Sequence, residues 1–141
     1  MKISFIAFNG VQSLDIFGPM EVFALANEFS GKKFYETSLY TIGSQRIKTN
    51  SGIDIICNDV NDMPQSDIII FCGGDEKTLI QLSQEQGIKN KLIEKTQSAK
   101  NICSICTGAF VLAYLGFLEN KKATTHWRHS VKFRQLWPNV D

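Results

Sequence analysis

Runs of apolar, β-branched residues alternate along the chain with segments of helical spacing, and this alternation predicts an architecture. Lys2 to Phe8 has the pattern of a strand, about Pro19 to Phe29 that of a helix with Gly18-Pro19 as its start signal, and Tyr35 to Ile42 that of a second strand. A hairpin follows around Ile47 to Cys57, turning at Asn50-Ser51-Gly52. The fully apolar stretch Asp67 to Cys72 is a buried strand that ends in Gly73-Gly74. Helices are predicted over about Lys77 to Ser83 and Lys89 to Ala99. A strand then runs from Asn101 to Cys106, and its helix ends near Gly116. Such βαβ alternation implies a doubly wound, mostly parallel α/β sheet with helices on both faces. Ligands of these sheets bind beyond the carboxyl ends of the strands, and Asp15, Gly73, Cys106 and His126 all fall just after predicted strands or in the loops that follow.

The last part of the chain breaks the rhythm. After Ala123 to His126 a helical pattern runs from Trp127 to Trp137 and stops at Pro138, leaving Asn139-Val140-Asp141 as the approach to a further strand. The unit stops midway, so the expected sheet lacks its carboxy-terminal strand and helix. Either the chain is a truncated product or another chain supplies the missing edge.

The stretch N-I-C-S-I-C-T-G, Asn101 to Gly108, runs directly into the apolar helix pattern A-F-V-L-A-Y-L-G. This places Cys106 at a sharp strand-to-helix turn, with small residues, Ser104 and Gly108, two before and two after it. A nucleophile elbow requires that arrangement. A thiol there faces the free N–H groups of a helix's first turn, which favour thiolate and hence reactivity. The competing reading is a small apolar residue that closes a core strand. If Cys106 is activated, Cys57, Cys72 and Cys103 should resist oxidation while it does not. Cys103 itself is expected to be a buried strand residue.

Composition narrows the function classes. A chain of 141 residues with formal net charge +1 is one domain, residues 1–141, without a basic stripe for nucleic acid. Ile3 to Phe8 is too short for a signal-peptide core, and no apolar run reaches membrane-spanning length. The four cysteines are accordingly expected to be reduced cytosolic thiols, in a cytoplasmic protein. Cys103-x-x-Cys106 together with His126-x-x-His129 mimics a zinc-finger spacing, but cysteines three apart on a strand face opposite ways, and a core helix lies between the pairs. No metal is expected. With neither G-x-G-x-x-G nor a Walker sequence, no cofactor is expected either.

Four segments together resemble the ThiJ/PfpI superfamily, also called class I glutamine amidotransferase-like. They are G-V-Q-S-L-D-I-F-G-P-M-E-V-F (Gly10 to Phe23), C-G-G (Cys72 to Gly74), S-I-C-T-G-A-F-V-L-A (Ser104 to Ala113) and A-T-T-H-W-R-H (Ala123 to His129). The first and last are most similar to the amino-terminal, ligand-sensing half of AraC-type transcriptional regulators. The first segment and T-T-H-W also resemble isonitrile hydratase. The resemblance implies a flavodoxin-like fold, a small-molecule ligand or substrate and a homodimer. It also implies Cys106 as elbow nucleophile, Asp15 as the carboxylate facing it and His126 as the nearby histidine. Under it the domain is a sensor without its DNA-binding part or, alternatively, a cysteine-dependent hydratase or hydrolase.

Chemistry gives these residues reasons of their own. A protonated Asp15 would hydrogen-bond a thiolate and lower its pKa, whereas an ionised one would raise it. Its alternative is a helix-cap role. Gly73 and Gly74 suit a loop whose N–H groups could stabilise an oxyanion, or else an ordinary strand-end turn. Thr107 offers an N–H and a hydroxyl to the same pocket. His126 is equally compatible with a strand-end histidine held by backbone carbonyls, His129 with a surface or interface residue, and Glu21 with an exposed helix face. Cys72 stands where the family often has proline.

Overall fold

The computed structural model describes residues 1–141 apart from the side chain of Ser83. Five strands form one parallel sheet: β1 (Lys2–Ala7), β2 (Glu36–Thr41), β5 (Asn58–Asp59), β6 (Ile68–Phe71) and β7 (Asn101–Ser104), in the order β5-β2-β1-β6-β7. A separate antiparallel hairpin joins β3 (Arg46–Lys48) to β4 (Asp54–Ile56), turning at Asn50-Ser51-Gly52 as the sequence implies. The helices are α1 (Ser13–Ser30), α2 (Glu76–Gln84), α3 (Gln86–Thr96), α4 (Ala109–Tyr114) and α5 (Ser130–Leu136).

The central strand carries most of the core. Every residue of β1 except Lys2 is buried, because β2 and β6 flank it in parallel register and helices cover both faces. Phe5, Phe8, Ile16, Ile69, Phe71 and Phe110 are among its fully buried side chains. At the sheet's edge the result differs. β7 pairs only with β6, and Cys103 is exposed rather than buried as expected, since the face it occupies is not covered among the described residues. Its expected resistance to oxidation loses its basis with that exposure.

Three further expectations are corrected by local chemistry. Helix α1 begins at Ser13, so Pro19 lies inside it rather than at its start. Proline has no N–H to give to the carbonyl four residues earlier, that of Asp15, and this carbonyl instead accepts from the Cys72 thiol at 3.5 Å. No strand precedes His126: residues 119–126 run through turns and irregular backbone. The end of the chain does not start a sheet strand either. It folds back on that segment, with Ala123 N–H donating to Asp141 O and Asp141 N–H to Lys121 O.

Two glycine-dependent backbone contacts position the site. The loop after β6 is zipped to the loop after β1, with Gln12 N–H donating to Gly73 O at 2.9 Å and Asp75 N–H to Gly10 O at 3.0 Å. A side chain at Gly74 would collide with the Gly10 carbonyl, so glycine permits this approach. Gly108 packs as closely on the carbonyl of Phe71 and seats the start of α4 on β6.

Candidate active or ligand site

Cys106 sits where β7 ends and a 3-10 turn, Cys106–Gly108, leads into α4. Its φ is 54°, in the left-handed region that a non-glycine residue rarely adopts. The backbone is strained there, at the strand-to-helix turn where the small-residue spacing puts Cys106. Because Ile105 N–H is bonded to Phe71 O and Gly108 N–H to Ile105 O, the turn is held on both sides. The Thr125 hydroxyl donates to the Cys106 carbonyl at 3.1 Å and holds it from a third.

The elbow does not lower the thiol's pKa. Burial pushes Cys106 up, the Asp15 carboxylate adds repulsion, and Thr107 beside the sulfur offsets only part of this. The expectation of a depressed pKa fails for a physical reason. Helix α4 has six residues and therefore little dipole to offer, while partial burial of the sulfur disfavours its charged form. Burial likewise raises Cys57, to about 11, and raises Cys72 further.

Asp15 is buried in the first turn of α1, three residues past the N-cap Gln12. Burial raises its pKa, against the lowering effects of the Gly73 N–H donating to Oδ2 at 2.9 Å and of the charge of His126. The Asp15 carboxylate thus disfavours ionisation of the thiol.

The glycine loop is engaged differently from the oxyanion role considered for it. Gly73 N–H is bound to Asp15, and Gly74 N–H donates to the Thr107 hydroxyl at 2.8 Å, so both donors are occupied by side chains. The Thr107 hydroxyl in turn donates to Gly74 O at 3.0 Å and is buried. Thr107 thereby ties the elbow to the glycine loop, and Gly73 cannot carry a side chain because a Cβ would lie 2.6 Å from Thr107 N.

His126 lies near this group without an imidazole bond to the thiol among the described contacts. Its Nδ1 accepts from Arg128 N–H at 3.3 Å, which makes it the cap of the turn Trp127–His129, and its ring lies against Trp127 and His129. His129 is an interface residue within the chain, since it pairs with Glu76 at the start of α2 and packs its ring on Phe110. Glu76 also pairs with Lys132. Glu21 is exposed on α1.

Sequence reasoning missed Thr125 and Glu76. Thr125 stands inside the T-T-H-W segment, so a signal existed. Glu76 follows Asp75, whose carboxylate caps Thr78 N–H at 2.9 Å, and the Asp-x-x-Thr pattern marks the helix start but not the partner of Glu76. Among the described residues no group of three or more His, Cys, Asp or Glu could hold a metal ion. No helix of the described residues is long and apolar enough to cross a membrane.

Comparison with known proteins places this geometry. The chain is 30% identical over 139 residues to an uncharacterized protein in the cpoL 5′ region of Streptomyces lividans and covers 96% of it. It is 25% identical over 141 residues to the HTH-type transcriptional regulator GlxA of Rhizobium meliloti, and 26% identical over 129 residues to the isonitrile hydratase of Pseudomonas putida. It spans only 43% and 54% of those two proteins, against 99% and 92% of its own length. Among solved structures, a putative transcriptional regulator from Vibrio parahaemolyticus superposes with a TM-score of 0.83 at 22% identity, covering 99% of this chain and 74% of that one. DJ-1 of Schizosaccharomyces pombe superposes with a TM-score of 0.75 at 18% identity, covering 100% and 75% respectively, and so shares the flavodoxin-like α/β fold. With the family model matching residues 1–137, the chain belongs to the DJ-1/PfpI family.

Proposed function

We propose that this domain is a small-molecule sensor of the kind found in AraC-type regulators, taking its ligand at Cys106 and Asp15. The observation that carries the reading is the state of the catalytic parts. The thiol is held protonated by burial and by Asp15, the two glycine N–H groups are engaged, and the His126 Nδ1 caps a turn. An enzyme of the thiolate class needs the reverse of each. What remains is a cluster of a soft sulfur, a carboxyl of raised pKa and hydroxyl groups, suited to recognising a small nitrogen-containing or carbonyl metabolite.

The likeness to isonitrile hydratase, together with the Asp15–Cys106 pairing, favours a second reading. In that reading a protonated Asp15 delivers its proton while the sulfur adds to an electrophilic carbon.

One screen separates the two. Small isocyanides, amides and aldehydes are tested for a shift in melting temperature and, in parallel, for turnover by mass spectrometry, on the protein and on Cys106→Ser. A sensor gives a thermal shift without product. Product formation that disappears in Cys106→Ser transfers the assignment to the hydratase.

A further inference from the structure

A cleft of about 560 Å³ lies between α5 and the end of the chain, with Thr125, Ser130, Phe133, Arg134, Val140 and Asp141 among its lining residues. That volume is in the range of small-molecule sites. One wall is held by backbone: Asn120 N–H donates to Asn139 O, Ala123 N–H to Asp141 O and Asp141 N–H to Lys121 O. Phe133 and Val140 are buried and belong, with Ala109, Phe110 and Ala113, to a second apolar cluster apart from the core around β1. The polar groups divide by sign. Arg134 and Asp141 are exposed in the same cleft, and among the described residues neither is paired with the other or with any other charge. The guanidinium offers only donors. The hydroxyls of Thr125 and Ser130 have their protons committed, to Cys106 O at 3.1 Å and to Trp127 O at 2.9 Å, so toward a ligand their oxygens only accept.

We propose that this cleft is a second binding site, separate from Cys106 and Asp15, for a small zwitterion of the amino-acid class. Its carboxylate takes the donors of Arg134, its ammonium the Asp141 carboxylate and the hydroxyl oxygens of Thr125 and Ser130, and its carbon chain the apolar surface of Phe133 and Val140. A simple anion leaves Asp141 as an unanswered like charge, and a simple cation does the same with Arg134. Only a ligand that carries both charges complements both residues. The cleft also reaches the elbow through one hydrogen bond. An ammonium that donates to Thr125 Oγ strengthens the bond which the same hydroxyl donates to Cys106 O, because the two roles of a hydroxyl polarise each other. Occupancy therefore acts on the carbonyl of the residue held at φ 54°. The inference does not rest on the sensor reading, since such coupling serves a Cys106 that binds and a Cys106 that reacts alike.

The test is calorimetric titration of the full chain with glycine, β-alanine, 4-aminobutyrate and 6-aminohexanoate, against acetate, hexanoate and hexylamine as ligands of single charge. At least one amino acid should bind saturably, about tenfold or more tighter than any single-charge compound. Arg134→Gln and Asp141→Asn should each weaken it by about tenfold or more, and Cys106→Ser should leave it unchanged. Both charged residues are exposed, and circular dichroism confirms that the variants are folded. Saturation with the amino acid should also change the rate at which iodoacetamide alkylates Cys106, and Thr125→Val should abolish that change. No saturable binding of any of the four up to about 50 mM, or binding that is matched by single-charge compounds or survives in both charge variants, overturns the site. Binding lost in Cys106→Ser but kept in Arg134→Gln also overturns it, by placing the amino acid at the elbow, and leaves the sensor reading standing. An alkylation rate indifferent to saturating amino acid overturns the coupling through Thr125.

Discussion

The elbow and the segment beyond Gly116 lie side by side, yet they are fixed by different means. Around Cys106 the main chain is fixed by main chain: Gly74 against Gly10, Gly108 against Phe71, and backbone hydrogen bonds on both sides of the turn. From Gly116 to His126 the chain passes through turns and irregular backbone, before the turn Trp127–His129 and α5. Backbone hydrogen bonds tie this segment to the end of the chain, but single side-chain contacts, such as Thr125 to Cys106 and His129 to Glu76, attach it to the elbow and to α2. Backbone packing tolerates no substitution at its contact points, whereas side-chain tethers can be removed one at a time. The two regions should therefore differ sharply in how they respond to mutation.

The largest effect is expected at Gly108. A methyl group there meets the Phe71 carbonyl, which neither element can move away from, so Gly108→Ala should lower stability by about 3 kcal/mol or more in urea unfolding. A wild-type-like midpoint would show that α4 is not seated on β6 as described. Next comes Thr107→Val, which removes the hydroxyl that both accepts from and donates to Gly74. Leaving buried backbone polar groups unsatisfied should cost about 1–3 kcal/mol.

Asp15→Asn is expected to act on titration more than on structure, because an amide oxygen can still accept from Gly73 N–H. Loss of the negative charge removes a cause of the raised Cys106 pKa, so the alkylation profile should move to lower pH. The sign of the stability effect follows from linkage. The folded state holds the Asp15 proton more tightly than the unfolded chain, so its contribution is fully present below the unfolded value of about 3.9 and is lost as pH rises through the folded value. Melting temperature measured against pH should show this decline in the protein, and Asp15→Asn should lack it. The smallest effect is expected from His126→Ala, which removes one side-chain cap and should cost about 1 kcal/mol or less. A drop comparable to that of Gly108→Ala would erase the contrast between the two regions.

The same contrast explains what could be read from the sequence. The strands β1, β6 and β7, the hairpin and the sharp turn at Cys106 were legible because apolar periodicity, Gly-Gly and small-x-Cys-x-Gly are local patterns with local causes. Cys106, Asp15, Gly73, Gly74 and Thr107 are brought together by parallel pairing of β1 with β6 and β6 with β7, which βαβ alternation already implies. The direction of the thiol's pKa was not legible, because it depends on burial and on the length of α4. Nor was the orientation of His126, which follows from a loop-borne contact with Arg128 N–H. Cys103 was misjudged because an edge strand and a central strand share the same apolar pattern. The start of α1 was misplaced because Gly18-Pro19 resembles an entrance, while Asp15 one turn earlier needs no N–H from residue 19.

The left-handed backbone at Cys106 also acts as a filter on the amino-acid alphabet at that position. Valine, isoleucine and threonine carry a second heavy atom on Cβ, which fits poorly at positive φ. Side chains with an unbranched Cβ, such as serine and alanine, avoid that added penalty. Mutational exploration of this site can therefore change the γ atom far more freely than the shape at Cβ, so its accessible chemistry is set by which single atom is hung on an unbranched carbon.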